Sequence, residues 1–192
     1  MKICFASHNE HKIQELNEML SGIHEVVGLD DLGVSEEIPE TGSTFEENSQ
    51  IKARYVFERY KIPVFADDSG LCVDALQGEP GVYSARYAGT EKDSEKNIDL
   101  LLKNLEGMEM RDAKFVSVIT LIGEEGEFQF RGEIYGSIRS NRSGTNGFGY
   151  DPIFQPAGYT NTFAEISSEE KNQISHRAIA VKKLVDHLKA HG

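Results

Sequence analysis

Cysteine is nearly absent from this chain, long apolar runs are missing altogether, and basic residues are outnumbered by acidic ones. The two thiols, Cys4 and Cys72, both fall inside apolar segments. This argues against a disulfide scaffold and marks them as small core hydrophobes of a reducing compartment. No stretch approaches the ~20 uninterrupted apolar residues of a membrane span. The first apolar segment, Ile3-Cys4-Phe5-Ala6, gives way to Ser7-His8-Asn9, far too early for a secretory leader. A cytoplasmic location without membrane attachment is therefore expected. The 20 Lys and Arg residues stand against 32 Asp and Glu, a net charge of −12. Such a balance argues against a surface for a nucleic-acid polymer, because those surfaces neutralise many phosphates with basic side chains. A small anion is a different matter. In an acidic chain it needs a local cluster of cations and a divalent metal, so the positions of the few Lys and Arg residues become informative.

What is present suffices for a core. Hydrophobic residues make up 39% of the 192, and the length fits one compact domain or two lobes sharing a core. Residues 1–192 are accordingly expected to form one domain. Ile3 to Ala6 reads as a short buried strand, after which Ile13, Leu16, Met19 and Leu20 repeat at helical spacing. Glu25 to Leu29 reads as a second strand. The acidic stretch from Asp30 to Gly42 is a loop that ends where Thr44 and Glu47 form a capping box, opening a helix from Phe45 to about Tyr60 with Ile51, Tyr55 and Val56 inward. Pro63 to Ala66 is an apolar run that Asp67-Asp68-Ser69-Gly70 interrupts before Leu71 to Val73 resumes it. Behind the cap at Asp93, Ile98, Leu101, Leu102 and Leu105 mark another helix. Phe115 to Ile122 is apolar on both faces, and the turn at Gly123 to Gly126 reverses it into an alternating strand from Glu127 to about Arg139. Ser143 to Asp151, with three glycines, is irregular, and Val181, Leu184, Val185 and Leu188 mark a closing helix. Strands and helices interleave around one long hairpin, which predicts an α/β fold on a mixed sheet.

Four segments could carry chemistry. Ser7-His8-Asn9-Glu10-His11-Lys12 lies where a strand gives way to a helix, a place where free backbone N–H groups attract an anion; the plain alternative is capping by Asn9 beside a solvated Lys12. Zinc at His8 and His11 lacks a third and fourth ligand nearby. Asp67 and Asp68 at the end of a buried strand repel each other and lose hydration, costs that a hard cation such as Mg²⁺ removes. Glu40, at the end of the acidic loop, could supply the second carboxylate. Neither the P-loop nor the dinucleotide glycine signature is present. Gly147-Phe148-Gly149-Tyr150-Asp151 instead offers close backbone approach beside two aromatics, suited to stacking on a flat base, unless Phe148 and Tyr150 simply plug the core. Finally, Lys171, His176 and Arg177 crowd the start of the last helix. Cations are electrostatically misplaced there unless an anion or acceptor binds, or unless both His176 and Arg177 are exposed.

Taken in series, SHNEHK, ETGSTFEENSQIKA, ADDSGL, GVYSARYAG, GFGYDPIF and EEKNQISHR resemble the inosine triphosphate pyrophosphatase family, the non-standard purine dITP/XTP pyrophosphatases. The match runs in order along nearly the whole chain. It implies a mixed, elongated sheet with flanking helices in two lobes around a central cleft, a homodimer, and Mg²⁺-dependent cleavage between the α- and β-phosphates. On this resemblance Ser7, His8, Asn9, Glu10, His11, Lys12 and Lys52 would hold the triphosphate. Glu40 and Asp68 would serve the metal, with Asp68 also the general base. Ser69, Phe148, Gly149, Tyr150, Asp151, Lys171, His176 and Arg177 would line the nucleoside pocket. Two departures stand out: Pro39 replaces a second acid often found before the metal-binding Glu, and His8 and His11 replace small residues. A pyrophosphatase for modified pyrimidine triphosphates and a non-catalytic nucleotide sensor are the alternatives, the first disfavoured by the SHR and GFGYD segments, the second by the carboxylates.

Overall fold

In the computed structural model, which describes residues 2–20 and 25–191, six strands form one sheet in the order β2-β1-β3-β4-β5-β6. The strands are β1 (Lys2–Phe5), β2 (Glu25–Val27), β3 (Val64–Val73), β4 (Asp112–Gly123), β5 (Gly126–Ile138) and β6 (Phe154–Pro156). The helices are α1 (Glu10–Leu20), α2 (Phe45–Tyr60), α3 (Ser94–Asn104), α4 (Ser168–Ile174) and α5 (His176–His191). Strand β1 pairs in parallel with β2 and with β3, whereas β5 and β6 pair antiparallel. The sheet is therefore mixed, as the interleaved sequence pattern predicts.

The chain divides into two compact units. One comprises Met1–Asp68, Ser117–Arg131 and Ala178–Gly192; the other comprises Ser69–Val116 and Gly132–Arg177. Strands β3, β4 and β5 and helix α5 pass along the chain from one unit into the other.

Within the first unit, strand alternation sorts the side chains of β3 onto two faces. Phe65 stacks on Phe5 and packs with Leu16 and Leu20 of α1 and Leu184 of α5. Val64 and Ala66 instead meet Ala53 and Val56 of α2, together with Cys4, Leu29, Val34 and Ile38. Burial pushes the Cys4 thiol up to about 12, with help from Asp31, so it is an inert core group. Cys4 and Cys72 are not disulfide-bonded. In the second unit Ile98 and Leu101 of α3, with Leu105 at its C-cap, are fully buried against Leu71 and Val73 of β3 and the aromatic group Phe115, Phe154 and Phe163.

Two sequence expectations need correction. Strand β3 is continuous through Asp67-Asp68-Ser69-Gly70 rather than interrupted there, because each carboxylate has a partner that lets it stay in the ladder. Helix α2 keeps its expected bounds and its Thr44 cap, whose hydroxyl accepts from the Glu47 N–H. Its buried face, however, is Asn48, Ser49, Lys52, Ala53 and Val56, with Ile51 and Tyr55 only half-buried. Polar residues occupy the inward stripe because the facing strands present polar groups, Asp68 of β3 and Thr120 of β4, as well as apolar ones.

Candidate active site

The first unit brings together five of the residues singled out above. Asp67 continues the Phe65 face and Asp68 continues the Ala66 face, so the two carboxylates diverge instead of sharing one cation. Asp67 is buried; one oxygen receives Lys12 Nζ of α1 at 2.8 Å and the other accepts the Ser117 hydroxyl of β4. Lys12 is thus bound rather than solvated. On the opposite face, Lys52 Nζ of α2 donates to Glu40 Oε1 at 2.7 Å and to the Asp67 carbonyl oxygen at 2.7 Å, and lies 3.5 Å from Asp68 Oδ1. Asp68 Oδ2 is buried and has no hydrogen-bond partner. Burial raises the Asp68 carboxyl above the ordinary carboxylate range, only partly opposed by Lys52 and Lys12. Burial also works against the charge of Lys52, but Asp68 and Glu40, with Asp67, more than offset it and hold the ammonium above the usual lysine range.

Among the described residues no group of three or more His, Cys, Asp or Glu converges as a metal cage. A buried carboxylate with an unsatisfied oxygen, joined to a second carboxylate by one ammonium, nevertheless fits the needs of Mg²⁺. That ion takes one or two carboxylates and keeps waters or phosphate oxygens for its other positions.

The SHNEHK segment is a capped helix start. Asn9 Oδ1 accepts the Lys12 N–H at 3.2 Å, and Ser7 Oγ accepts the Asn9 N–H at 3.1 Å. His8 has partners in the acidic loop, with Nδ1 3.2 Å from Asp30 Oδ1 and Nε2 3.2 Å from the Glu36 carbonyl oxygen. Glu10 and His11 are exposed. The capping alternative therefore holds for Asn9, while Lys12 is committed to Asp67.

The second unit gathers the remaining candidates. Arg177 is 1% exposed and His176 4%, so the alternative in which both are solvated is excluded. Arg177 Nη2 donates to Ser69 Oγ at 3.0 Å. His176 stacks on Phe115, ring centroids 4.8 Å apart and planes 12° from parallel. Lys171 lies on the separate short helix α4 rather than on the last helix, and its Nζ pairs with Asp151 Oδ2 at 2.7 Å, with both side chains buried. The same oxygen accepts the Phe148 N–H at 3.0 Å. Gly147 has φ +70°, and a Cβ there would stand 2.0 Å from that oxygen, so this turn requires glycine. Phe148 is half-buried, with the Lys171 ammonium 4.8 Å and the Arg177 guanidinium 5.8 Å from its ring centre. Gly149 has φ +60°. Tyr150 belongs to the core, its hydroxyl donating to the Ser84 carbonyl oxygen at 2.7 Å. Of the two aromatics in this loop, Tyr150 plugs the core and Phe148 borders the cations.

Sequence reasoning missed Asn48 and Ser117. The signal for Asn48 was available: Asn48 and Lys52 are four apart on one helix face, flanked by small Ser49 and Ala53. Ser117, fifty residues from Asp67, left none.

Comparison with known proteins gives full-length relatives. A dITP/XTP pyrophosphatase of Flavobacterium johnsoniae is 50% identical over 99% of each chain, and one of Porphyromonas gingivalis is 49% identical over 97% of each. The solved Staphylococcus aureus Ham1 protein superposes with a TM-score of 0.91 at 42% identity, covering all of both chains. A structure from Mycobacterium abscessus, described as a nucleoside-triphosphatase and dITP/XTP pyrophosphatase, gives 0.78 at 46% identity, over 96% of this chain and 98% of its own. Residues 3–187, which hold every candidate site residue, match the Ham1 family from end to end, and the chain belongs to that family.

Proposed function

We propose that this protein is a Mg²⁺-dependent pyrophosphatase that hydrolyses ITP, dITP and XTP to the monophosphate and pyrophosphate, with residues 1–192 acting as one domain. The observation that carries the reading is Lys52 bridging Glu40 and Asp68 while Asp68 keeps a buried, unsatisfied oxygen. The names of the relatives supply the substrate class. The homodimer, the cytoplasmic location and the clearance of non-standard nucleotides from the pool belong to the same proposal; none of the described helices is long and apolar enough to cross a membrane.

Asp68 is the group that orients and deprotonates the attacking water. Its unsatisfied oxygen is an acceptor, and burial makes its carboxylate more basic than an exposed one. Lys52 and Lys12 offset the negative charge of the triphosphate, and the helix start at Ser7 to Lys12 offers further donors to phosphate oxygens. Bound at Glu40 and Asp68, Mg²⁺ would add Lewis-acid stabilisation of charge moving toward the leaving pyrophosphate. Replacing Glu40 by Gln is expected to raise the Mg²⁺ concentration needed for half-maximal ITP turnover by about tenfold or more, since loss of a ligand should cost at least what loss of an outer-shell partner does. An unchanged Mg²⁺ titration would place the second ligand elsewhere.

Base choice is assigned to Arg177, with Ser69, His176 and the Phe148 to Asp151 loop. Inosine and xanthosine present a carbonyl acceptor at position 6, where adenosine presents an amino donor, and a guanidinium suits only the first. A buried donor left facing another donor rejects the wrong base by roughly 10⁴-fold in a site built this way. Arg177→Ala is therefore expected to lower kcat/KM for ITP far more than for ATP, so that the ratio between them narrows. Equal losses on both nucleotides would move Arg177 to the phosphates. Tyr150 acts in this scheme by holding the loop, not by touching the base.

A further inference from the structure

We infer that Asn48 is a positioning residue that fixes Glu40 over Lys52, an inference that rests on the metal-binding reading of Glu40. Asn48 is fully buried on α2, one turn before Lys52 on the same face. Its Oδ1 accepts the Gly42 N–H at 2.8 Å, and its Nδ2 is buried without a hydrogen-bond partner. Turning the amide over would set its NH₂ against the Gly42 N–H, so the orientation is fixed by that one bond. A side chain that leaves a buried donor unsatisfied in order to keep one acceptor in place is held there by what the acceptor does.

What it does is anchor the acidic loop two residues beyond Glu40. On the other side of Glu40, Ile38 is buried in the apolar cluster with Val34, Ala53 and Val56, and Pro39 restricts φ between that anchor and the carboxylate. Gly42 lies so close to α2 that a Cβ would stand 2.6 Å from Glu47 Cβ and 2.8 Å from Asn48 Oδ1. Ser43 adds a second tie, its N–H donating to Glu47 Oε2 at 2.6 Å and its hydroxyl to the same atom at 2.9 Å. Glu40 is thus clamped between an apolar anchor and a polar one, and its Oε1 meets Lys52 Nζ at 2.7 Å. Asparagine suits the polar anchor because an aspartate would place a third carboxylate one turn from Lys52.

The test is direct binding of Mn²⁺, as a spectroscopic substitute for Mg²⁺, to the full-length protein, read by electron paramagnetic resonance alongside the thermal midpoint. Asn48→Ala and Gly42→Ala, which break the same contact from its two sides, are each expected to weaken Mn²⁺ about 10- to 100-fold, the range seen when a partner that orients a ligand is lost. The double variant is expected to weaken it no further than the worse single one. Gly42→Ala keeps the test alive if Asn48→Ala does not fold. Ser49→Ala removes the neighbouring buried hydrogen bond to Thr120, 2.7 Å long; it is expected to lower the midpoint and leave Mn²⁺ binding unchanged. Parent-like Mn²⁺ binding in both clamp variants while Glu40→Gln binds weakly would overturn the inference, as would a loss in Ser49→Ala as large as theirs. Parent-like binding in Glu40→Gln itself would instead overturn the reading of Glu40 on which the inference rests.

Discussion

Asp68→Asn is expected to lower ITP turnover by about 10³-fold or more, because the substitution removes both a general base, worth ~10²- to 10⁴-fold, and a carboxylate of the metal site. Its thermal midpoint at neutral pH should equal or exceed that of the parent. The sign follows from burial, which raises the Asp68 carboxyl above its ordinary range. A raised carboxyl contributes stability below the unfolded value of about 4, and that contribution is lost as pH rises through the raised folded value. Asparagine, permanently neutral, loses nothing over that window. The gap in midpoint between variant and parent should therefore shrink as the solution is acidified. Retention of more than a tenth of parental turnover would remove Asp68 from the mechanism, and a large fall in the midpoint would reassign it to structure.

The second large effect concerns stability in the other unit. Lys171→Ala removes the ammonium that pairs with the buried Asp151 carboxylate. Breaking a buried ion pair from one side costs about 3–5 kcal/mol, and for a chain of this length each kcal/mol moves the midpoint by about 2–4 °C. A fall on the order of 10 °C is expected. Adding Asp151→Asn to Lys171→Ala removes the buried negative charge that has lost its ammonium and should recover part of that loss. No recovery in the double variant would mean that the lysine acts through its packing over Phe148 and Phe163 instead.

The elements of the fold were legible where a local signal stood alone. The Thr44 cap and Glu47 set the start of α2, and the spacing of Ile98, Leu101, Leu102 and Leu105 marked α3, of which Ile98, Leu101 and the C-cap Leu105 are buried and Leu102 is half-buried. Gly123 to Gly126 turned β4 into β5. Asp67-Asp68 was read correctly as a place where charge is forced into a core strand. The expected repulsion and lost hydration are there, since burial and the Asp67 charge both raise the Asp68 carboxyl; the expected break in the strand is not, because strand alternation sends the two carboxylates to opposite faces and two different helices supply a lysine to each. Those pairings join residues far apart in sequence, Lys12 with Asp67 and Lys52 with Asp68, and no local pattern encodes them. Val56 faces inward as expected, but the polar part of the α2 inward face was missed for a related reason. Hydrophobicity alone favours Ile51 and Tyr55 as core residues, whereas the strands opposite present an aspartate on β3 and a hydroxyl on β4 that Lys52 and Ser49 answer. Tyr150 and Phe148, equivalent in sequence, were separated only by the Ser84 carbonyl that captures one hydroxyl.

The central claim is where the triphosphate is cut. Purified protein with Mg²⁺ and ITP should give IMP and pyrophosphate in equal amounts, with little turnover of ATP or dTTP. A phosphate-detecting assay should stay silent until inorganic pyrophosphatase is added and then report two phosphates per ITP consumed. Orthophosphate released without that second enzyme, with IDP as the nucleotide product, would contradict the account.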